Sequence, residues 1–417
     1  MHILMVSEYF PPHEKGGGEL SALALAKALV KQGIRVSVLT SRFHNDAAQR
    51  TQEGVTIYAR LTTGATPDSL QGNLQRGKVT HEIVRELPKL IAEIKPDLVH
   101  AMNITSMPGV AKVAHEIGIP AVAHINSPLA FDPKGTLLDD GKERQAPYTF
   151  GSFVSSFTHA KEVGRIKNKW FLRWNPIVWT VLYHRWNAIK HSFPAFTHFF
   201  PISTAMQDWL VKYGVSKQKT TVLYNIIPLD TFAKEKTFAN KTPKLLYLGG
   251  YARYKGLPVI IEALEGLKEP YVLDCYGAGE EKAAMQEQAT QAGINAQFHD
   301  YIAPKDIPKL IASHDILIFP SQVPEGLGRL AIEAMAGSKP VIASDIGGMR
   351  DTVVHGKTGL LVPPTEVAAW SAAISELLTN AKKRKTFGTA GKKRAFALFS
   401  EYTIVKTALA IYEKVLA

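Results

Sequence analysis

Two glutamates, Glu325 and Glu333, stand eight residues apart in PSQVPEGLGRLAIEAMAGSKPVIASDIGGMRDTVVHGKTGLLVPP (320–364), with Gly326-Leu327-Gly328 between them. Glycines followed by a run of helix formers expose unpaired backbone N–H groups, and the helix dipole adds positive potential at the same point. That combination suits a diphosphate. The spacing puts Glu325 at the mouth of the pocket and Glu333 about two turns along the same helix. Carboxylates beside a phosphate-binding helix end suit a ligand that carries both phosphates and hydroxyls, such as a nucleotide sugar.

Other positions extend this pattern. LGGYARYKG (248–256) holds two cations, Arg253 and Lys255, after a strand-like run. Gly16, Gly17 and Gly18 follow the first apolar run and let the backbone approach a phosphate closely. A loose glycine triplet is a weak signal, and it does not match G-x-G-x-x-G, which argues against a dinucleotide site. His124 ends PAVAHI and precedes Asn126 and Ser127. Gly277 and Gly279 lie in DCYGAGEE, and Tyr301 and Ile302 follow a further apolar run. No D-x-D, H-E-x-x-H or paired cysteine spacing occurs, so no metal site is expected.

The 320–364 stretch resembles the donor-binding signature of retaining glycosyltransferases of family 4, the glycosyl transferases group 1. Their pattern is E-G-F/L-G followed by E-A-M/L-A-x-G-x-P-V-[IV]-A, and it runs from Glu325 to Ala343 with Ser338 in place of its glycine. The resemblance implies a GT-B fold. It also implies that Glu325 holds sugar hydroxyls, Glu333 the ribose, and the amides of Gly326, Leu327 and Gly328 the diphosphate. LGGYARYKG is similar to the family's G-R-L-x-x-x-K-G. Lys255 and Gly256 match it, but Gly250 stands where the family has arginine. Arg253, three positions later, is the candidate substitute; the alternative is a solvated side chain. By the same resemblance Gly16 and Gly17 lie near the donor diphosphate, His124 faces the donor sugar, and Gly277 and Gly279 border the nucleotide. His100 in DLVHAMN matches another common family histidine. Catalytic roles are expected for Glu325, His124 and Lys255, with both cations neutralising the leaving diphosphate.

The elements that must position these residues read as an α/β chain. HILMVS, IRVSVLTS, VTIYARL, DLVHAM and PAVAHI are strand-like runs separated by helical patterns, beginning with ELSALALAKALVKQG. A second series, KLLYLGG, YVLDCYG, AQFHDY, DILIFPS and PVIASD, repeats that rhythm. The expected architecture is two Rossmann-like doubly wound domains with a cleft between them. Residues 1–228 would bind the acceptor and 229–394 the nucleotide-sugar donor. A C-terminal helix, 395–417, would pack back onto the first domain. The join at TVLYNIIPLDTF (221–232) resembles the family's N-G-V-D linker, with Ile226 in place of glycine and Asp230 two positions late.

Composition narrows the setting. At 417 residues the chain suits two domains, and 46% hydrophobic with 21% charged residues is an ordinary globular balance. A single cysteine, Cys275, excludes a disulfide framework and predicts a reducing, cytoplasmic compartment. The start of the chain lacks signal-peptide features, and no window has the ~18 apolar residues of a spanning helix. The net charge of +12 favours an anionic partner, and no nucleic-acid motif accompanies it. In residues 161–191, four of the six tryptophans (Trp170, Trp174, Trp179, Trp186) alternate with nine Lys, Arg and His residues around Pro176. Two readings stay open for it: an anionic membrane surface, or a helical insert packed in the core.

The functional expectation is a metal-independent, cofactor-free retaining hexosyltransferase. It would act from a nucleotide diphosphate sugar, UDP favoured, onto a hydroxyl of a glycan or lipid-linked glycan. The rivals are a GT-B phosphorylase or epimerase, and a non-catalytic sugar-nucleotide-binding subunit, which the altered Gly250 and Ile226 positions keep open.

Overall fold

Most strands of the two successive sheets in the computed structural model are short apolar runs buried along nearly their whole length. The structure describes residues 1–13, 17–43, 46–62, 78–139, 141–159, 174–236 and 240–417. The first half contributes β1 (His2–Val6), β2 (Arg35–Ser41), β3 (Gln49–Gln52), β4 (Val55–Leu61), β5 (Leu98–Ala101) and β6 (Ala121–Ile125). A small hairpin, β7 (Leu138–Asp139) and β8 (Lys142–Glu143), and then β9 (His198–Pro201) follow. The large sheet has the order β3-β4-β2-β1-β5-β6-β9 and is parallel except at β3–β4. The second half contributes β10 (Lys244–Leu248), β11 (Val272–Tyr276), β12 (Ala296–His299), β13 (Ile316–Phe319), β14 (Val341–Ser344) and β15 (Gly359–Val362). Their order, β12-β11-β10-β13-β14-β15, is wholly parallel.

Counting parallel strands in chain order, both sheets follow the doubly wound pattern 3-2-1-4-5-6. Each therefore reverses direction once, between β1 and β5 and between β10 and β13. Ligands bind outside the carboxyl ends of strands at such points. One buried apolar cluster joins the two halves, running through Ile202, Met206, Ile227 and Leu229 to Leu246, Leu327 and Met349.

Several expectations are corrected here. β3, β9, β15 and the β7–β8 hairpin add to the strands expected from the sequence. β9 lies in FTHFFP, where Phe199 and Phe200 are fully enclosed between neighbouring elements. The helix expected over 395–417 is two helices, Ala381–Phe399 and Glu401–Leu416. Ser400 takes an extended conformation between them and caps the second. That second helix reaches the first half: Lys31 meets Glu401 at 2.8 Å, and Tyr412 is fully buried with its hydroxyl 2.8 Å from His100 Nδ1.

The tryptophan-rich segment divides. Residues 160–173, with Trp170, lie outside the described residues. Pro176 starts the helix Pro176–Ser192 rather than breaking one, with Asn175 as its cap. Trp186 is 2% exposed, packs with Tyr148, Phe153 and Phe157, and donates its indole N–H to Ala130 O at 3.2 Å. Trp179 is half-buried beside that cluster, whereas Trp174 is 57% exposed.

Candidate active site

The loop that follows β13 carries the central residues. Phe319 ends the strand, Pro320 to Gly328 run as loop, and the helix Arg329–Ala336 begins. Glu325 therefore precedes the helix and Glu333 lies about one turn inside it, which corrects the expectation of a shared helix. Gly328 stands at the cap position with φ +71°, a left-handed conformation that glycine tolerates, and no side chain caps the end. Its first-turn N–H groups and the dipole are thus available to an anion.

Lys255 comes from a different strand. β10 ends at Leu248, Tyr247 donates its hydroxyl to Gly250 O at 2.8 Å, and a short turn Arg253–Lys255 leads into the helix Leu257–Leu264. This brings Lys255 Nζ to 2.6 Å from Glu325 Oε1. Ser321 Oγ donates to the same oxygen at 3.1 Å. Both side chains keep partial solvent access, 30% and 24%. A cation, a carboxylate and an uncapped helix end thus converge at the carboxyl ends of β10 and β13.

Glu333 is nearly enclosed, and burial pushes its carboxyl up from the usual range while Arg329 opposes the shift. Arg329 Nε donates to Glu333 Oε1 at 2.7 Å, an i,i+4 pair that the sequence reading missed. Arg253 is not brought to Lys255 and Glu325: its side chain is 76% exposed, with Nε 3.8 Å from Glu281. Its backbone N–H donates to Glu281 at 2.6 Å.

Gly277 and Gly279 follow β11, and a Cβ at either would collide with the backbone of Gly249 or Tyr251. Both are thus needed where the two strand-end loops pack on each other. Leu327 is buried, and its carbonyl accepts from Thr352 Oγ1 at 2.6 Å. Gly326 faces the first half, where a Cβ would lie 2.7 Å from Ile202 Cδ1. Tyr301 is 70% exposed.

On the first half, Gly17 opens the helix Gly17–Lys31, and Gly18 lies against Asn126, whose Nδ2 donates to Met102 O at 3.1 Å. Gly16 falls outside the described residues. His124, the penultimate residue of β6, lines the cavity shared by Gly18, Ser21 and Asn126. Burial lowers its pKa to about 4, so the ring is neutral near pH 7. His100 is buried behind it, ring centroids 5.9 Å apart, and is likewise held neutral by burial and by His124. Its hydrogen bond to Tyr412 gives it a structural role under the C-terminal helix.

The family described as "Glycosyltransferase Family 4" matches residues 15–231, and the one described as "Glycosyl transferases group 1" matches 230–394. The chain is 25% identical to glycogen synthase of Mycobacterium tuberculosis over 438 residues, covering 99% of this chain and 94% of that one. The match to spore coat protein SA of Bacillus subtilis, 24% identical, is partial: it takes in 49% of this chain and spans 61% of that protein. Sucrose-phosphate synthase from Thermosynechococcus elongatus superposes with a TM-score of 0.73 at 20% identity, covering 99% and 98% of the two chains. Anabaena HepE in complex with UDP-glucose gives 0.65 at 20% identity, covering 99% and 100%. With its first half matching one glycosyltransferase family, its second half another, and both sheets doubly wound, the chain belongs to the GT-B glycosyltransferases.

Proposed function

We propose that this transferase moves a hexose-type sugar, with retention, from a UDP-sugar to a hydroxyl of a glycan or lipid-linked glycan, without a metal ion. The observation that carries the reading is the Lys255–Glu325 pair at 2.6 Å beside the uncapped start of the helix Arg329–Ala336. UDP is favoured because the similar fold of HepE was solved with UDP and with UDP-glucose. Glycogen synthase and sucrose-phosphate synthase, by their names, build glycosidic bonds to sugars.

In this reading the donor diphosphate lies over Gly326 to Gly328 with Lys255 as its cation, Glu325 binds sugar hydroxyls and Glu333 the ribose. Neutral His124 offers a hydrogen bond to the sugar from the acceptor side. The acceptor oxygen bonds to the anomeric carbon on the face from which the diphosphate departs. The bond from that carbon to the phosphate oxygen breaks, and the departing phosphate oxygen takes the acceptor's proton. Charge grows on the diphosphate during this step, so a fixed cation and preorganised N–H groups stabilise the transition state more than the ground state. Lysine and the helix end would do the work a divalent cation does elsewhere.

The same proposal puts the protein on an anionic membrane surface. The helix Pro176–Ser192 contains no acidic residue. Trp174 is exposed just before it, Ile177 and Val181 are exposed along it, and exposed His184 and Arg185 follow. An apolar end beside a cationic end fits a headgroup interface. Among the described residues no helix is long and apolar enough to cross a membrane.

The test is incubation with a panel of nucleotide sugars and glycan acceptors, with nucleotide release and the product anomer as readouts. Release of UDP with an α-to-α outcome supports the reading. Binding without release points to a non-catalytic subunit, and dependence on inorganic phosphate to a phosphorylase.

A further inference from the structure

We propose that Glu143 is a positioning residue that couples closure of the cleft to the placement of Glu325. The inference rests on the transferase reading above. Glu143 ends β8 in the first half, yet its carboxylate reaches the second: Oε2 lies 3.2 Å from Arg350 Nη1, and Oε1 lies 3.4 Å from the Gly347 nitrogen. Gly347 and Gly348 form the turn on which the Glu325 backbone rests. Gly348 N–H donates to Glu325 O at 2.9 Å, and a Cβ on Gly347 would lie 2.8 Å from that carbonyl and 3.0 Å from Pro324 Cα. Glu325 in turn holds Lys255. A chain of direct contacts therefore runs from the hairpin of one half to the cation–carboxylate pair of the other.

Residues on both sides of Glu143 are tied into a polar network. Asp132, fully buried, accepts the N–H groups of Lys134 at 2.8 Å and Leu137 at 2.7 Å. Lys134 Nζ donates to Leu138 O at 2.6 Å. Arg144 pairs with Asp139 and lies 3.5 Å over the Tyr148 ring. Glu143 is thus presented beside residues anchored to the first half.

A second carboxylate crosses in the opposite direction. Asp351 accepts the N–H of Thr204 at 2.6 Å, and the Thr204 hydroxyl, at the start of the helix Thr204–Lys212. It is 7% exposed. Separating that contact would strand a buried carboxylate away from water. Separating Glu143 from Arg350 returns two partly exposed groups, 33% and 47%, to solvent at small cost. Asp351 is accordingly the pivot, and Glu143 the contact that makes and breaks. Glu143 and Arg350 border a cavity of about 170 Å³ together with Pro324, Trp209 and Lys212.

The experiment compares Glu143→Ala, Glu143→Gln and the charge exchange Glu143→Arg with Arg350→Glu. Glu143→Ala should lower kcat about tenfold while UDP affinity stays within about twofold, the split expected of a residue that acts through Glu325 rather than on the nucleotide. Glu143→Gln should fall between, and the charge exchange should recover part of the loss. Wild-type kcat should decline with salt more steeply than that of Glu143→Ala. Small-angle scattering should show a larger radius of gyration for Glu143→Ala. The proposal is overturned if Glu143→Ala keeps wild-type kcat, or if its kcat and UDP affinity fall together. If the wild type releases nucleotide from no donor, the transferase reading fails on its own. Scattering then still decides the clasp: unchanged profiles for Glu143→Ala overturn it.

Discussion

Replacing Lys255 by alanine separates chemistry from folding more cleanly than any other change at this site. Lys255 Nζ sits 2.6 Å from Glu325 Oε1 in a pair whose side chains keep 30% and 24% of their exposure. A pair this open contributes about 0–1 kcal/mol to stability, since water screens it. Its loss does not orphan Glu325, because Ser321 Oγ remains at 3.1 Å. The melting temperature should therefore move by only a few degrees. The proposed transition state, however, loses its one fixed lysine on the departing diphosphate. A charge-assisted contact of that kind is worth about 1.5–3 kcal/mol, which at about 1.36 kcal/mol per tenfold becomes a loss of about 10- to 160-fold in kcat/KM. Lys255→Arg should recover part of it. The assay is steady-state UDP release, with calorimetry on the same preparations. A Lys255→Ala enzyme within about threefold of wild type, with its melting unchanged, would show that the diphosphate is neutralised elsewhere.

Four further outcomes follow from the same geometry. Glu325→Ala should cost on the order of a thousandfold in turnover with the fold intact; near-normal turnover would remove Glu325 from the site. Activity should survive chelation by EDTA, and inhibition reversed by added manganese or magnesium would refute metal independence. His124 and His198 have folded pKa values near 4, below the unfolded value near 6.5, chiefly through burial. The unfolded chain then binds more protons, so their stabilisation is complete above about pH 6.5 and fades as pH falls toward 4, by up to about 1.4 kcal/mol per pH unit for each histidine. Urea midpoints should drop accordingly, and a flat profile would contradict the burial argument. Liposome sedimentation should show binding that needs anionic lipid, weakens with salt and declines in Trp174→Ala with Ile177→Ala; indifference to lipid charge would leave that face without a membrane role.

The β13 loop and its helix were readable because glycine placement, helix formers and a following apolar run are local signals. What misled the reading was distance along the helix: Gly328 delays the start, so Glu325 stays outside it. Sequence spacing alone points to Arg253, whereas the turn at Arg253–Lys255 directs its guanidinium toward Glu281 and solvent. Trp186 shares a basic, aromatic segment with Trp174, but only packing against Tyr148, Phe153 and Phe157 separates a core residue from a surface one.

By itself the sequence determined the α/β class, the two tandem sheets and the glycosyltransferase signature, because strand runs, glycine stops and helix starts act over a few residues. Only the tertiary structure decided which distant groups meet: Lys255 with Glu325, Tyr412 with His100, Asp351 with Thr204 and Glu143 with Arg350. Each pair joins segments at least 70 residues apart in the chain. Such encounters depend on where two doubly wound sheets place their strand ends and how the halves pack, and no local preference along the chain encodes that.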